Sequence, residues 1–486
     1  MCEIKKIINY QTHLELNDYT MGECRQLETR LSTWDKVYFC WVPKGYVYDK
    51  ERKALLIPAG VSANWVSGLT NRPIEINYEP DEYEPMHMRI ITQPKSKLQE
   101  ESLRFLAGKG QYASYATYPQ LVLNLDTGEG KTYITIAQLA NKGLKALIIV
   151  NTEKIREQWI KSIIQYTDID PKKICDFSGS QKCLSMIAWS HMYKHKAIFI
   201  TNHATIHSFG ENHGWDKVHK LFQAMHIGVK VYDEAHLNFA NIVKIDCYTN
   251  TKITYYLTAT FGRSDDAENM IYKQCFTSIP KYEQKKRTVY EGKPYITYLA
   301  IFYKSNPTIM QVAKMKNKYG FNRNAYCKYQ ITEDGMFFPI IRQLVQMTAV
   351  DKQYKTLLLV TTIDGIEDMY DYLHREFPDL SIGKYHSKID PAEKDKAIEC
   401  RLIISTAKSL GVGADIHGLK ALINTESYKS TIITEQIIGR LRKPEDGSGC
   451  IYIETIDKDF NTLRSQQRVR EKFLRKMVSR IKYVKM

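Results

Sequence analysis

Eight residues, Leu125-Asp126-Thr127-Gly128-Glu129-Gly130-Lys131-Thr132, restrict this chain more than any others. They sit between an apolar run, Leu121-Val122-Leu123, and a helical pattern of Ile134, Ile136, Ala137, Leu139 and Ala140. A strand that turns through glycines into a helix makes an anion cradle. Backbone N–H groups and the helix N-terminus face the anion, and glycine permits close approach. Thr127, Gly128, Glu129 and Gly130 form that cradle; Lys131 is placed to reach the β- and γ-phosphates of a nucleotide, and Thr132 to ligate Mg²⁺. The strict phosphate-loop pattern opens on glycine, and Leu125 stands in that slot.

A second signal closes the apolar strand Val229–Tyr232: Asp233-Glu234-Ala235-His236. Mg²⁺ prefers oxygen ligands and keeps several waters, so one carboxylate, Asp233, is enough to hold it. Glu234 is then free to orient and deprotonate an attacking water. The tetrapeptide means little alone; at a strand end downstream of a phosphate loop it marks a nucleotide hydrolase.

The 486 residues make room for two or three domains. A net charge of +15 points to a polyanionic partner. Ten cysteines are scattered with no C-x-x-C pair, so neither zinc nor an iron–sulfur cluster is expected. With no signal peptide, they read as reduced thiols of a cytoplasmic protein (host cytoplasm if phage-encoded). No apolar run has the length to span a bilayer, and no membrane partner is expected.

Residues 1–90 read as a small α+β domain and a candidate for DNA binding: a helix near Gly22–Leu31, aromatic strands Val37–Trp41 and Tyr46–Tyr48, and a strand Ala54–Ile57. The acidic segment Glu79–Pro85 reads as a linker. Residues 91–285 alternate strands (121–125, 146–150, 197–201, 229–233, 255–260) with helices, the pattern of a parallel α/β sheet. The basic segment Lys281–Arg287 reads as the start of a connector. Residues 286–486 hold a second α/β series, with strands at 356–360, 402–406, 421–425 and 450–455.

Further motifs appear in the order seen in superfamily 2 helicases and translocases, and here the resemblance becomes specific. Leu257-Thr258-Ala259-Thr260-Phe261-Gly262-Arg263 resembles the motif that couples hydrolysis to the strand-binding surface, with His236, Thr258 and Thr260 as the coupling residues. Ile148–Thr152 followed by Gln158-Trp159 resembles motif Ia, with Asn151 where proline is usual, and Phe199–Asn202 resembles a backbone-contacting strand end. Ser405-Thr406 with Gly411–Asp415 resembles motif V, and Gln436-Ile437-Ile438-Gly439-Arg440 motif VI. Among these, Gly413, Asp415 and Gln436 are implied at the nucleotide. Gln99 matches the glutamine that reads the adenine edge, with Gln93 as a rival.

By the same resemblance, two cationic fingers follow Gln436 at Arg440 and Lys443, with Arg442 an alternative for the second. Arginine from a facing domain neutralises charge on the transferring phosphoryl group. Thr152, Thr201, Thr361, His386 and Thr406 are implied on the nucleic-acid surface, where hydroxyls and amides bind phosphates without reading sequence. The stretch Asp459–Met486 carries nine Lys and Arg against two acids, with Val469, Phe473 and Met477 at helical spacing. It reads as a basic C-terminal helix, either solvated or turned to phosphates.

The resemblance covers about residues 91–457. It implies two RecA-like parallel-sheet lobes with ATP and Mg²⁺ in the cleft between them. The Gln-Trp pair and the Thr-Ala-Thr-Phe-Gly-Arg tail look most like XPB-type and phage UvsW-type DNA helicases; residues 1–90 resemble the UvsW leading domain more loosely. The expected function is an ATP-dependent DNA helicase or translocase of the DEAH-box kind, remodelling forks and junctions or annealing strands in replication, recombination and repair. A DEAH-type RNA helicase and the motor subunit of a nuclease assembly are the alternatives.

Overall fold

The computed structural model describes residues 5–35, 39–126, 128–259, 266–284, 293–317, 320–411, 416–444 and 446–486. The chain divides into two compact units, Met1–Gln284 and Lys285–Met486.

The first unit opens with β1 (Ile7–Asn9), β2 (His13–Asn17), a two-stranded ribbon of β3 (Ser32–Asp35) and β4 (Cys40–Pro43), then β5 (Val47–Asp49), β6 (Ala54–Pro58) and β7 (Ile74–Ile76). Five of these form a mixed sheet in the order β5-β6-β2-β1-β7, parallel only at β1–β7. The helix Met21–Leu31 starts on a capping box in which Thr20 and Glu23 satisfy each other's backbone N–H. Leu14, Leu16, Leu27, Leu31, Leu55 and Ile57 share one core with Ile271, Tyr272 and Cys275 of the next layer. Gly60 is required there, because a Cβ would sit 2.0 Å from the Cys275 carbonyl oxygen. The segment Glu79–Pro85 is a pinned strap rather than a loose linker. Asp81 accepts from His219 Nε2 at 3.0 Å and from Asn250 N at 3.2 Å, and Glu84 pairs with Lys145 at 2.5 Å.

The same unit continues with a seven-stranded, wholly parallel sheet: β8 (Gln120–Asn124), β9 (Ala146–Val150), β10 (Ile174–Asp176), β11 (Ile198–Asn202), β12 (Val229–Tyr232), β13 (Ile253–Thr258) and β14 (Lys281–Glu283). Its order is β10-β11-β9-β12-β13-β8-β14. Helices on both faces bury β9 completely, which is why its sequence, Ala-Leu-Ile-Ile-Val, is uninterrupted and apolar. Of the segment Lys281–Arg287 read as the start of a connector, Lys281–Glu283 is the edge strand of this sheet, and residues 285–287 lie outside the described residues.

The second unit repeats the architecture with β15 (Lys293–Tyr303), β18 (Lys355–Leu359), β19 (Ile382–Tyr385), β20 (Leu402–Ser405), β21 (Leu419–Asn424), β22 (Cys450–Asp457) and β23 (Val478–Lys485). All pairings are parallel, in the order β19-β20-β18-β21-β22-β15-β23. A small hairpin, β16 (Lys316–Asn317) with β17 (Gly320–Phe321), follows β15.

The basic tail departs from the single helix its spacing predicts. The helix spans Asn461–Leu474, and Val478–Lys485 is a strand hydrogen-bonded along β15. Ile481 packs on the core and the edge position satisfies one side of the backbone, which outweighs helical spacing over so few residues. Arg470 is also not a surface cation: it is buried and paired with Glu454 at 2.9 Å. Among the described residues, no helix is long and apolar enough to cross a membrane.

Candidate nucleotide site and nucleic-acid face

β8 delivers the chain into the glycine loop from a fully packed position. Leu125 is buried, and its N–H donates to the Thr258 carbonyl at 3.1 Å, fixing the loop's root to β13. Gly128 and Gly130 both have left-handed φ, +93° and +85°, a region costly for any residue with a Cβ. A Cβ on Gly130 would also lie 2.4 Å from Gln99 Nε2, whereas the space over Gly128 is open. The helix Lys131–Lys142 starts directly after Gly130 with no side-chain cap, so its N-terminal N–H groups and dipole face the loop. Lys131 is buried, and its ammonium donates to the carbonyls of Leu125 at 2.9 Å and Asp126 at 3.4 Å. Thr132 is half-buried one residue into the helix; Thr127 lies outside the described residues. Gln99 is buried against the loop, donating to Glu129 O at 3.3 Å and accepting from Lys95 N at 2.8 Å. Its rival Gln93 is exposed.

The acidic pair closes β12 in the same sheet. Asp233 Oδ2 accepts from the Trp159 indole at 2.9 Å and Oδ1 from Glu234 N at 3.0 Å. Burial, then the charge of Glu234, pushes the Asp233 carboxyl up to about 6, while the Trp159 hydrogen bond and the Lys131 charge pull it down. Glu234 adopts a left-handed φ of 49°, uncommon for a residue with a side chain. One of its buried carboxylate oxygens, Oε2, has no hydrogen-bond partner. His236 Nδ1 lies 3.3 Å from that oxygen and 2.9 Å from Thr258 Oγ1, so His236 bridges the acidic turn to the end of β13. Thr260 lies outside the described residues. Asn151 donates to the Asp233 carbonyl at 3.4 Å and accepts from Asn238, tying β9 to the turn.

This donor set fits a nucleoside triphosphate with a hard dication. There is an uncapped helix terminus for phosphate, a lysine at the loop, a hydroxyl and a carboxylate as oxygen ligands, and an acid whose elevated pKa a nearby cation would relieve. Trp159 and Asn151 are site residues that spacing does not disclose. Gln158-Trp159 marks a family pattern, but nothing in the sequence places that indole on a carboxylate far along the chain.

The residues expected to face nucleic acid divide. Thr152 caps the helix Glu153–Tyr166, accepting from Ile155 N at 3.4 Å. Thr406 is held in its turn by Ser409, donating to Oγ at 2.9 Å and accepting from N at 3.0 Å. Thr361 is half-buried after β18, beside the cap residue Thr362. Thr201 is turned inward: it is wholly buried and donates to Phe177 O at 2.8 Å, completing the neighbouring strand end rather than presenting its hydroxyl outward. His386 is likewise engaged internally. Lys388 N donates to its Nδ1 at 3.3 Å, leaving Nε2 to donate to Glu367 at 3.1 Å. In the second unit Gln436 lies half-buried in the helix Thr431–Gly439, Arg440 is its C-cap, and Arg442 and Lys443 are exposed just beyond. Gly413 and Asp415 lie outside the described residues.

Two family models match: "Type III restriction enzyme, res subunit" over residues 85–263, and "Helicase conserved C-terminal domain" over residues 339–444. The transcript termination protein A18 of Yaba-like disease virus is 24% identical over 335 residues, 66% of this chain and 64% of that protein, so the matched segment spans less than two thirds of the relative. The DNA 3'-5' helicase XPB of Mycobacterium tuberculosis (strain ATCC 25618 / H37Rv) is 27% identical over 151 residues, 31% of this chain and 25% of that one. Among solved structures, S. cerevisiae Dbp5 bound to RNA and ADP BeF3 superposes with a TM-score of 0.54 at 15% identity, covering 81% of this chain and 90% of that chain. At that identity the likeness is one of fold.

Proposed function

The chain belongs to superfamily 2 of helicases and translocases, and from that premise we propose that it is an ATP-driven motor acting on branched or duplex DNA. The observation that carries the reading is the convergence of the glycine loop, the acidic pair and the His236–Thr258 bridge on one parallel sheet. Lys131 and the helix terminus bind the phosphates, and Gln99 contacts the base. Thr132 and Asp233 are the Mg²⁺ ligands; when bound, the ion offsets phosphate charge. Glu234 orients the attacking water and takes its proton on its carboxylate, whose Oε2 is approached by His236 Nδ1 at 3.3 Å. Arg440 stabilises charge on the transferring phosphoryl group, assisted by Arg442 or Lys443. His236 and Thr258 pass the hydrolytic state toward the strand-binding surface, for which Thr152, Thr361 and Thr406 remain the hydroxyl candidates.

The DNA assignment is supported by the resemblance to XPB, whose mycobacterial relative is named a DNA helicase. A second reading, action on RNA, is favoured by the longer match to a protein named for transcript termination. ATP turnover measured side by side with single-stranded DNA, duplex, forked DNA, a four-way junction and RNA separates them. Branched DNA is expected to stimulate most; stronger stimulation by RNA overturns the DNA assignment in favour of the second reading.

A further inference from the structure

Residues 292–332 carry seven Lys and Arg and not one Asp or Glu. They span the whole of β15, with Lys293 at its start, and then an arm of helix Ile309–Lys314, the β16–β17 hairpin and helix Arg323–Thr332. The arm has a small core of its own, Met315, Tyr326 and Tyr329 against Phe460 and Leu463. A capping box between Thr308 and Gln311 fixes its first helix. Ile309 and Met310 stand at that helix start, 89% and 75% exposed. Lys304, Lys314, Lys316, Arg323 and Lys328 are exposed around them.

The arm is seated at the C-terminal ends of the second unit's strands. Cys327 Sγ lies 3.6 Å from Thr362 Oγ1, just past β18. Gly365 leaves space for Ile331 and Cys327, which would lie 2.9 and 3.3 Å from a Cβ there. Arg323 is close enough to favour the ionised form of Glu426, and Glu426 accepts from Ala407 N at 2.5 Å, beside Thr406. Strand C-termini are where parallel sheets bind their ligands.

Acids do meet the arm, Glu426 near Arg323 and Asp459 at Asn306, but Lys314, Lys316 and Lys328 make no ion pair among the described residues, and a polyanion supplies their counter-charge. Exposed aliphatic side chains set among those cations match a nucleic-acid strand, which offers phosphates and base faces together. We propose that this arm grips nucleic acid: Lys314, Lys316 and Lys328 hold backbone phosphates, while Ile309 and Met310 lie against the bases. The inference rests on the reading of the chain as a nucleic-acid motor.

Two variants of the full chain test it: Lys314→Gln/Lys316→Gln/Lys328→Gln and Ile309→Ser/Met310→Ser. All five side chains are exposed, and such surface changes leave stability within about 0.5 kcal/mol. Binding to labelled single-stranded and duplex oligonucleotides is followed between about 50 and 200 mM salt. Three lost phosphate contacts lower the slope of log K against log salt by about 2.7 on duplex, or about 2.1 on single strands. The apolar variant binds single strands several-fold more weakly with an unchanged slope, because no counterion is involved. Basal ATP turnover without nucleic acid stays at the wild-type level in both. Unchanged slope and affinity in both variants overturn the proposal and leave the arm solvated or turned to a protein partner. A wild-type chain that neither binds nucleic acid nor is stimulated by it overturns instead the functional reading.

Discussion

In the first seven-stranded sheet the chain leaves β8 through a glycine loop; in the second it leaves the matching strand, β15, through Lys304 into the acid-free arm. Numbered from its own first strand, each sheet runs in the same order, so β12 corresponds to β21. At the end of β12 stand Asp233 and Glu234; at the end of β21 stand Thr425 and Glu426. The charges differ in the same sense. Residues 1–284 hold 34 Lys and Arg against 31 acids, whereas residues 285–486 hold 35 against 23, so the second unit carries most of the excess positive charge. One scaffold thus carries the acidic pair Asp233–Glu234 beside a glycine loop in one unit and a cation-rich arm in the other. Beneath those ends, both sheets are anchored alike. Asp246 accepts from Tyr232 and Tyr256 and pairs with Lys230 at 2.6 Å; Glu454 accepts from Tyr298 and Tyr452 and pairs with Arg470 at 2.9 Å.

The strongest challenge to a purely divided labour is Arg440. If the second unit contributes to the chemistry through it, Arg440→Ala lowers turnover about 10³-fold or more while ATP binding persists. Arg442→Ala beside Lys443→Ala then identifies the second finger; wild-type turnover in both removes the second finger altogether.

The likeness of the two anchors is tested by Asp246→Ala and Glu454→Ala. Each strands a buried cation, and each is expected to cost about 3–5 kcal/mol in chemical denaturation. A cost near zero for one and not the other breaks the equivalence.

Trp159→Phe keeps the buried ring and removes the indole donor to Asp233. Outer-shell partners of this kind are worth about 10–100-fold in metal affinity or activity. The Mg²⁺ concentration needed for half-maximal turnover is expected to rise at least about tenfold, with metal-free nucleotide binding unchanged. An unaltered Mg²⁺ requirement removes Trp159 from that role.

The smallest effect concerns Glu426, whose carboxyl burial pushes up to about 7. An unfolded-chain glutamate titrates near about 4.3. Between those values the folded state holds the extra proton, so the stabilisation is full below the lower value and lost as pH rises through the upper one. Unfolding of the second unit is expected to become easier from about pH 4 to 7, and Glu426→Gln to flatten that dependence. An equal slope in both proteins rules Glu426 out as its source.

Much of the scaffold was legible because buried parallel strands are written as apolar runs. Ala146–Val150 and Leu402–Ser405 stand out for that reason, and the glycine loop and acidic pair were readable from local spacing. The edges were not. Ile174–Asp176 and Lys281–Glu283 are edge strands three residues long, too short to register. In β23 the basic residues mimic a helical face, and only pairing with β15 makes it a strand. Thr201 and His386 occupy plausible strand-end positions, but which way a side chain turns depends on the neighbouring strand's unsatisfied carbonyls and acids.

The comparison rests finally on Glu234, because the account gives the first unit a hydrolytic base that the second lacks. The deciding measurement is steady-state ATP turnover with nucleic acid present, for wild type and Glu234→Gln, with nucleotide affinity determined in parallel. The account predicts nucleic-acid-stimulated turnover in the wild type. It predicts a variant that binds ATP as tightly but hydrolyses it orders of magnitude more slowly, because an amide cannot take the water's proton. Turnover near the wild-type level in Glu234→Gln would contradict it.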